Sequence, residues 1–190
     1  SQGGYLVLLA PRHILETKED VYHILDWKSS KLPRVARSSL SAEAQAAGVA
    51  SDATEFACRY YEHLLHPLVP LAQLLQMTSV LKPVLITDAK AVFDSYHREA
   101  LVSNVTDRRS SLEIRVVKEQ IQSLGGTLRW VSSDRQLADG LTKASMRQNL
   151  ADKLRHGRLK FLYDPYYVAA KKRQLLSANW NLKVPQRAET

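Results

Sequence analysis

Apolar and polar positions along the chain fall into short strand-sized runs and longer stretches of helical spacing. Tyr5 to Ala10 is an apolar run of strand length, entered through Gly3-Gly4 and closed by Pro11. Leu15 to Tyr22 is polar and reads as a loop or short helix. His23 to Trp27 is a second strand and KSSKLPRVARSS a third, interrupted by Pro33 as an edge or a bend would be. Three strands in quick succession predict an antiparallel meander. From Ser39 to about Leu68 the spacing turns helical, with Ala47, Ala50, Ala53, Ala57, Tyr61, Leu64 and Leu65 on one face. Gly48 and the stretch Asp52 to Glu55 leave one bent helix and two shorter ones both open.

Pro67 and Pro70 break that pattern, and Leu71 to Val80 is an apolar connector. PVLIT, ending at Thr87, suits a buried strand. Asp88 follows at once, and Ala89, Val92, Phe93 and Tyr96 then recur at helical spacing. An aspartate at such a junction either caps the helix or stands where open α/β sheets gather ligands. A second helix is predicted over Leu112 to Leu124, with Ile114, Val117 and Ile121 inward and Gly125-Gly126 as its terminator. TLRWV alternates as a strand, with Trp130, like Trp27, read as a core residue. Ser133 to Gln136 matches a capping box ahead of a short helix. Met146 to His156 is a basic helix and Leu159 to Tyr163 a last strand. Pro165 to Thr190 reads as an extended arm.

The 190 residues suffice for one well-buried core, and 45% hydrophobic with 24% charged residues is ordinary for a water-soluble globular chain. No apolar run approaches the ~20 residues of a membrane helix, so no membrane is expected. A single cysteine, Cys58, excludes an internal disulfide and fits an intracellular, reducing compartment, an organelle included. Charge changes the picture more. Residues 1–140 carry 16 basic and 16 acidic side chains; residues 141–190 carry 11 and 3, so the net +8 lies wholly in the last fifty. That asymmetry points to an acidic partner, nucleic acid first. Arg155, Arg158, Lys160, Lys171, Lys172 and Arg173 are the expected phosphate contacts. Trp180 is the aromatic expected to meet a base or a protein partner. His63 and His66 lie three apart on the first long helix, but no carboxylate or cysteine completes a metal site with them.

Three acidic residues stand at telling places: Glu43 early in the first long helix, Asp88 at the end of PVLIT, and Asp139 in LADGLTK. Carboxylates converging from different elements suit phosphodiester hydrolysis, because each Mg²⁺ takes only one or two of them. Here five strings carry a specific resemblance: SQGGYLVLLA, DWKSSKLPRVARSSLSAEAQA, ITDAKAV, TDRRSSLEIRVVKEQI and VSSDRQLADGLTK. In order and spacing they are similar to the ribonuclease H domain of copia-type LTR retrotransposon polyproteins, over about residues 1–145. The resemblance implies an α/β fold: a mixed sheet of the ribonuclease H type with helices on both faces. Residues 146–190 would form a basic C-terminal helix and arm. It puts Glu43, Asp88 and Asp139 at three of the family's four metal-binding carboxylates, and Arg108 and Arg109 in its D-R helix motif.

The sequence also departs from that family. Its first acidic residue belongs to a strand upstream of SQGGYLVLLA, so the first strand and its aspartate are expected to be missing here. Ser41, Ala44, Ser111 and Glu113 replace residues of its motifs. Two readings follow from the resemblance. One is an RNA-binding, structural component of a larger ribonucleoprotein, with other proteins as partners and no cofactor. The other is an Mg²⁺-dependent ribonuclease H that cleaves the RNA strand of RNA–DNA hybrids once an upstream strand supplies the aspartate. The basic extension favours the first.

Overall fold

Strand β1 (Gln2–Leu9) pairs antiparallel with β3 (His23–Lys31) along its whole length, Gln2 opposite Lys31 and Leu9 opposite His23, with an irregularity at Val7/Leu8. The computed structural model describes residues 2–16, 18–77, 79–98 and 107–161. β3 continues through KSSK, so the third strand expected over KSSKLPRVARSS does not exist as a separate element. Pro33 has no N–H to donate to a ladder, and the Arg34 N–H donates instead to Gln45 Oε1 (3.2 Å). The predicted meander also fails at its middle. Part of the expected polar loop is a short strand, β2 (Glu19–Val21), and it pairs with β6 (Arg158–Lys160) near the other end of the described chain.

Helix α1 (Ser39–Leu65) is one continuous helix, started by Ser38, whose hydroxyl accepts from the Ser41 N–H (3.0 Å). Its buried stripe is not the alanine–leucine face that the spacing predicts. Ala44, Gln45, Ser51, Cys58 and Glu62 are buried, while Leu64 and Leu65 are exposed. Polar residues sit inside because each has a partner: Gln45 the Arg34 N–H, Ser51 the Gln120 side chain (2.6 Å), and Glu62 the Arg59 guanidinium (3.0 Å). The short helix α2 (Leu71–Leu74) follows, and then β4 (Val84–Thr87), which pairs parallel with β5 (Thr127–Trp130). Between them run α3 (Lys90–His97) and α4 (Arg108–Ser123). Ile114, Val117 and Ile121 are buried as expected. Gly125, at φ +70°, ends α4 in the left-handed conformation that glycine adopts without strain.

Adjacent residues of β4 serve opposite faces, as strand geometry requires. Leu85 packs against a cluster of Ala44, Val92, Tyr96, Ile114 and Leu128, and Ile86 against a cluster of Ile14, Tyr22, Val131, Leu159 and Phe161. The second cluster ties in β6, against which α6 (Arg147–His156) packs, with α5 (Asp139–Thr142) beside α6; Tyr22 Oη donates to the Lys153 carbonyl (3.0 Å). Part of the expected C-terminal extension, up to Phe161, therefore packs with the rest. Together these elements make a mixed α/β fold whose strands form three separate two-stranded pairings instead of one sheet among the described residues.

Two further expectations need correction. Trp27 is 62% exposed, because β3 presents most of its side chains to solvent. Ser133 does not cap a helix: Ser133–Arg135 is a 3₁₀ turn preceded by Ser132, and the Gln136 side chain is engaged elsewhere, donating to the Ile86 carbonyl (3.2 Å). Among the described residues no helix is long and apolar enough to cross a membrane.

Candidate functional site

β4 ends at Thr87, whose hydroxyl accepts from the Ala89 N–H (3.1 Å). α3 starts after Ala89, with no side-chain bond capping it, so Asp88 does not serve as its cap. The loop is fixed from the other strand, where Trp130 Nε1 donates to the Asp88 carbonyl (2.8 Å). A carboxyl thus stands at the carboxyl end of a parallel strand pair, fastened by its backbone and free of the capping role.

Glu43 reaches the same place from α1, and Asp139 from the first turn of α5. Their ionisation shows the meeting. Glu43 keeps much of its surface, yet its pKa is raised, first by desolvation and then by the charge of Asp88, with a smaller push from Asp139. Asp139 is also raised, by desolvation first and in part by Asp88, despite its bond to Lys143. The Lys143 ammonium lies 2.6 Å from Asp139 Oδ2, its side chain one turn along from Asp139. Its own pKa is raised, chiefly by that bond and further by Asp88 and Glu43. One ammonium therefore faces three carboxylates, and burial with mutual repulsion makes the cluster short of positive charge.

These groups are near enough to repel. Among the described residues no group of three or more His, Cys, Asp or Glu side chains is arranged to hold a metal ion. The Asp139 carboxylate is already taken by Lys143. As placed, the residues do not fit a resident divalent cation, so no chemical step is derived through one. Lys143 was not foreseen from the sequence, although its signal was there: Asp and Lys four residues apart in DGLTK meet on one helix face.

A pH-dependent stability follows. A carboxyl whose pKa is higher folded than unfolded opposes folding when ionised, and that cost disappears as pH falls through the raised value. Glu43→Gln should therefore melt at a higher temperature than the parent near neutral pH. The gap should close as the buffer is acidified into the carboxylate range. Equal melting temperatures at neutral pH would show that Glu43 carries no such burden.

The expected basic residues fall in two places. Arg108 and Arg109 open α4, whose N-cap, Asp107, accepts from the Ser110 N–H (3.0 Å) and from the Ser38 hydroxyl (3.3 Å) at the start of α1. They stand beside the helix that carries Glu43. There Glu113 collects both Arg34 (2.6 Å) and Arg109 (3.4 Å). Arg155, Arg158 and Lys160 are exposed on α6 and β6, with Arg155 3.5 Å from Asp152. His63 and His66 are both exposed. Lys171, Lys172, Arg173 and Trp180 lie outside the described residues. No protein-family model, no curated protein and no solved structure matches this chain.

Proposed function

We propose that this chain is a ribonuclease H-like domain of retroelement ancestry that binds RNA or RNA–DNA hybrids as a structural component of a larger ribonucleoprotein. The observation that carries the reading is the electrostatic coupling of Glu43, Asp88 and Asp139 beyond the end of β4, with Lys143 bonded to Asp139. Three acids drawn from α1, the β4–α3 junction and α5 are what the sequence motifs lead one to expect of that family. The ammonium bonded to Asp139 favours holding nucleic acid over cutting it, because it opposes a metal ion at that carboxylate. Exposed Arg108 and Arg109 beside the α1 start, and Arg155, Arg158 and Lys160 on α6 and β6, are its phosphate contacts.

Such binding is governed by counterion release and depends steeply on salt. Fluorescence anisotropy with a labelled RNA–DNA hybrid, across a salt series, tests it. The parent should bind with an affinity that falls linearly on logarithmic axes. Arg108→Ala with Arg109→Ala should weaken binding and flatten that slope by about 0.7–0.9 for each phosphate no longer neutralised. Failure to bind hybrid or single-stranded RNA at low salt would sink the reading.

A second reading is Mg²⁺-dependent cleavage of the RNA strand of a hybrid. It is favoured by the raised pKa values of Glu43 and Asp139, since a cluster short of positive charge attracts a divalent ion once Lys143 gives way. The two readings part on turnover.

A further inference from the structure

Helix α1 turns a row of large apolar side chains outward. Phe56, Tyr60 and Leu64 recur every four residues and are exposed, Phe56 by 71%, while Cys58 and Glu62 on the opposite side of the helix are buried. The Phe56 and Tyr60 rings stack 6.0 Å apart and nearly parallel. The chain beyond the helix continues in the same manner. Leu68 is 95% exposed, and Leu71 and Leu75 are exposed on either side of the buried Leu74. Arg59 fastens that stretch to α1 through the Leu74 and Met77 carbonyls, so helix and following turn present their side chains as one piece. Fully exposed side chains of this size present roughly 150–200 Å² each. At their fractional exposure the six leave on the order of 700 Å² in water. The largest apolar patch of an ordinary monomer is about 300–600 Å², and one side of a stable protein interface is about 800 Å².

Charge decides what fits. His63 to Leu81 holds no Asp, Glu, Lys or Arg, in a chain that is 24% charged. Phosphates and anionic lipid heads find no cation there. The net positive residues 141–190 find no anion. A contact between two copies about a two-fold axis sets each surface against itself, so it requires a surface without net charge. Interface cores are depleted of charge for the same reason of burial. Size then sets the pairing. On the same side of α1 as Phe56, one and two turns earlier, stand the smaller Ala53 and Val49, both half-buried. Antiparallel helices place the bulky half of one on the small half of the other, Tyr60 over Ala53 and Leu64 over Val49. Parallel helices would oppose bulky to bulky and leave a gap beside the small residues.

We infer that the outer face of α1, with the leucines that follow it, is a homodimer interface in which two copies of this chain pair their α1 helices antiparallel, the two-fold axis passing between Phe56 and Ala57. The stacked Phe56 and Tyr60 rings are its anchors, since aromatic side chains carry much of the energy of such contacts. Leu68, Leu71 and Leu75 extend the contact over the earlier turns of the partner helix. The inference stands apart from the nucleic-acid reading, because it uses none of the carboxylates or arginines of that site.

Sedimentation equilibrium of the full chain over a range of concentrations tests it. The mass should rise to twice that of the chain. Tyr60→Glu, which sets like charges into the contact, should weaken dimerisation at least tenfold. Because Tyr60 faces solvent in the single chain, that variant should keep the parent's circular dichroism. Thiol cross-linking reads the register, with Cys58→Ala as background and a dimaleimide that spans about 10 Å, the separation of packed helix axes. The Phe56→Cys variant should link to itself. The Tyr60→Cys variant should link to Ala53→Cys when the two are mixed, and at least tenfold less to itself, because its own partner position lies about two turns away. A monomer at every concentration would overturn the proposal. So would a dimer that Tyr60→Glu leaves as tight as before, or self-linking of Tyr60→Cys as efficient as that of Phe56→Cys.

Discussion

Replacing Arg59 by methionine is expected to destabilise the protein by about 3–5 kcal/mol, the usual cost of stranding one partner of a buried ion pair. Arg59 and Glu62 sit one turn apart on α1, 3.0 Å apart, with side chains only 12% and 3% exposed. The guanidinium also donates to the carbonyls of Leu74 (3.2 Å) and Met77 (3.0 Å), so one side chain fastens α2 and the turn after it to α1. Burial works against ionised Glu62, but Ser79 and Arg59 more than offset it and hold the carboxyl below its ordinary range. Its stabilising contribution is therefore present above the unfolded pKa and lost as pH falls through the depressed folded value. In Arg59→Met the sign reverses, because the carboxylate keeps its desolvation and loses its cation. Thermal melts should show a drop of roughly ten degrees at neutral pH, shrinking as the solution is acidified and Glu62 takes up a proton. Adding Glu62→Leu should recover much of the loss. A drop of only a degree or two would mean that water reaches the pair.

Local pattern carried much of this fold. The switch from the apolar run PVLIT to helical spacing at Asp88 marks β4 and α3 because period and length change together there. The inward face of α4 was legible for the same reason: Ile114, Val117 and Ile121 are apolar, regularly spaced and need no partner. What was not legible depends on distant pairing. β2 is three residues long, Glu19–Val21, and becomes a strand only because Arg158–Lys160 arrives beside it. No local signal announces that. The buried stripe of α1 was misplaced because Ser51 and Glu62 look like surface residues until Gln120 and Arg59 are known to satisfy them. At the candidate site, the motifs named Glu43, Asp88 and Asp139; the pKa values of Glu43 and Asp139 are raised, by desolvation first and in part by the charge of Asp88. The capping alternative for Asp88 could not be decided from its window; the backbone of α3, starting after Ala89 without a side-chain cap, decides it.

The last expected result concerns turnover. Incubated with an RNA–DNA hybrid and Mg²⁺ or Mn²⁺, the chain alone should cleave no faster than Asp88→Asn. Hydrolysis of a phosphodiester by two metal ions needs them about 4 Å apart, held by carboxylates that converge on both. Glu43, Asp88 and Asp139 feel one another's charge, but no three ligating side chains among the described residues are set to share an ion. Lys143, 2.6 Å from Asp139 Oδ2, would have to leave before that carboxylate could coordinate anything. Reactive geometry is unforgiving: a misplacement of about 1 Å costs roughly a hundredfold in rate. Lys143→Met separates a blocked site from an absent one. With the ammonium gone, the carboxylates lose its compensating charge, so Mg²⁺ should raise the melting temperature of this variant more than that of the parent. Hybrid cleavage by the parent that vanishes in Asp88→Asn would overturn the expectation. It would show that the cluster rearranges around divalent ions, and the second reading of its function would then replace the first.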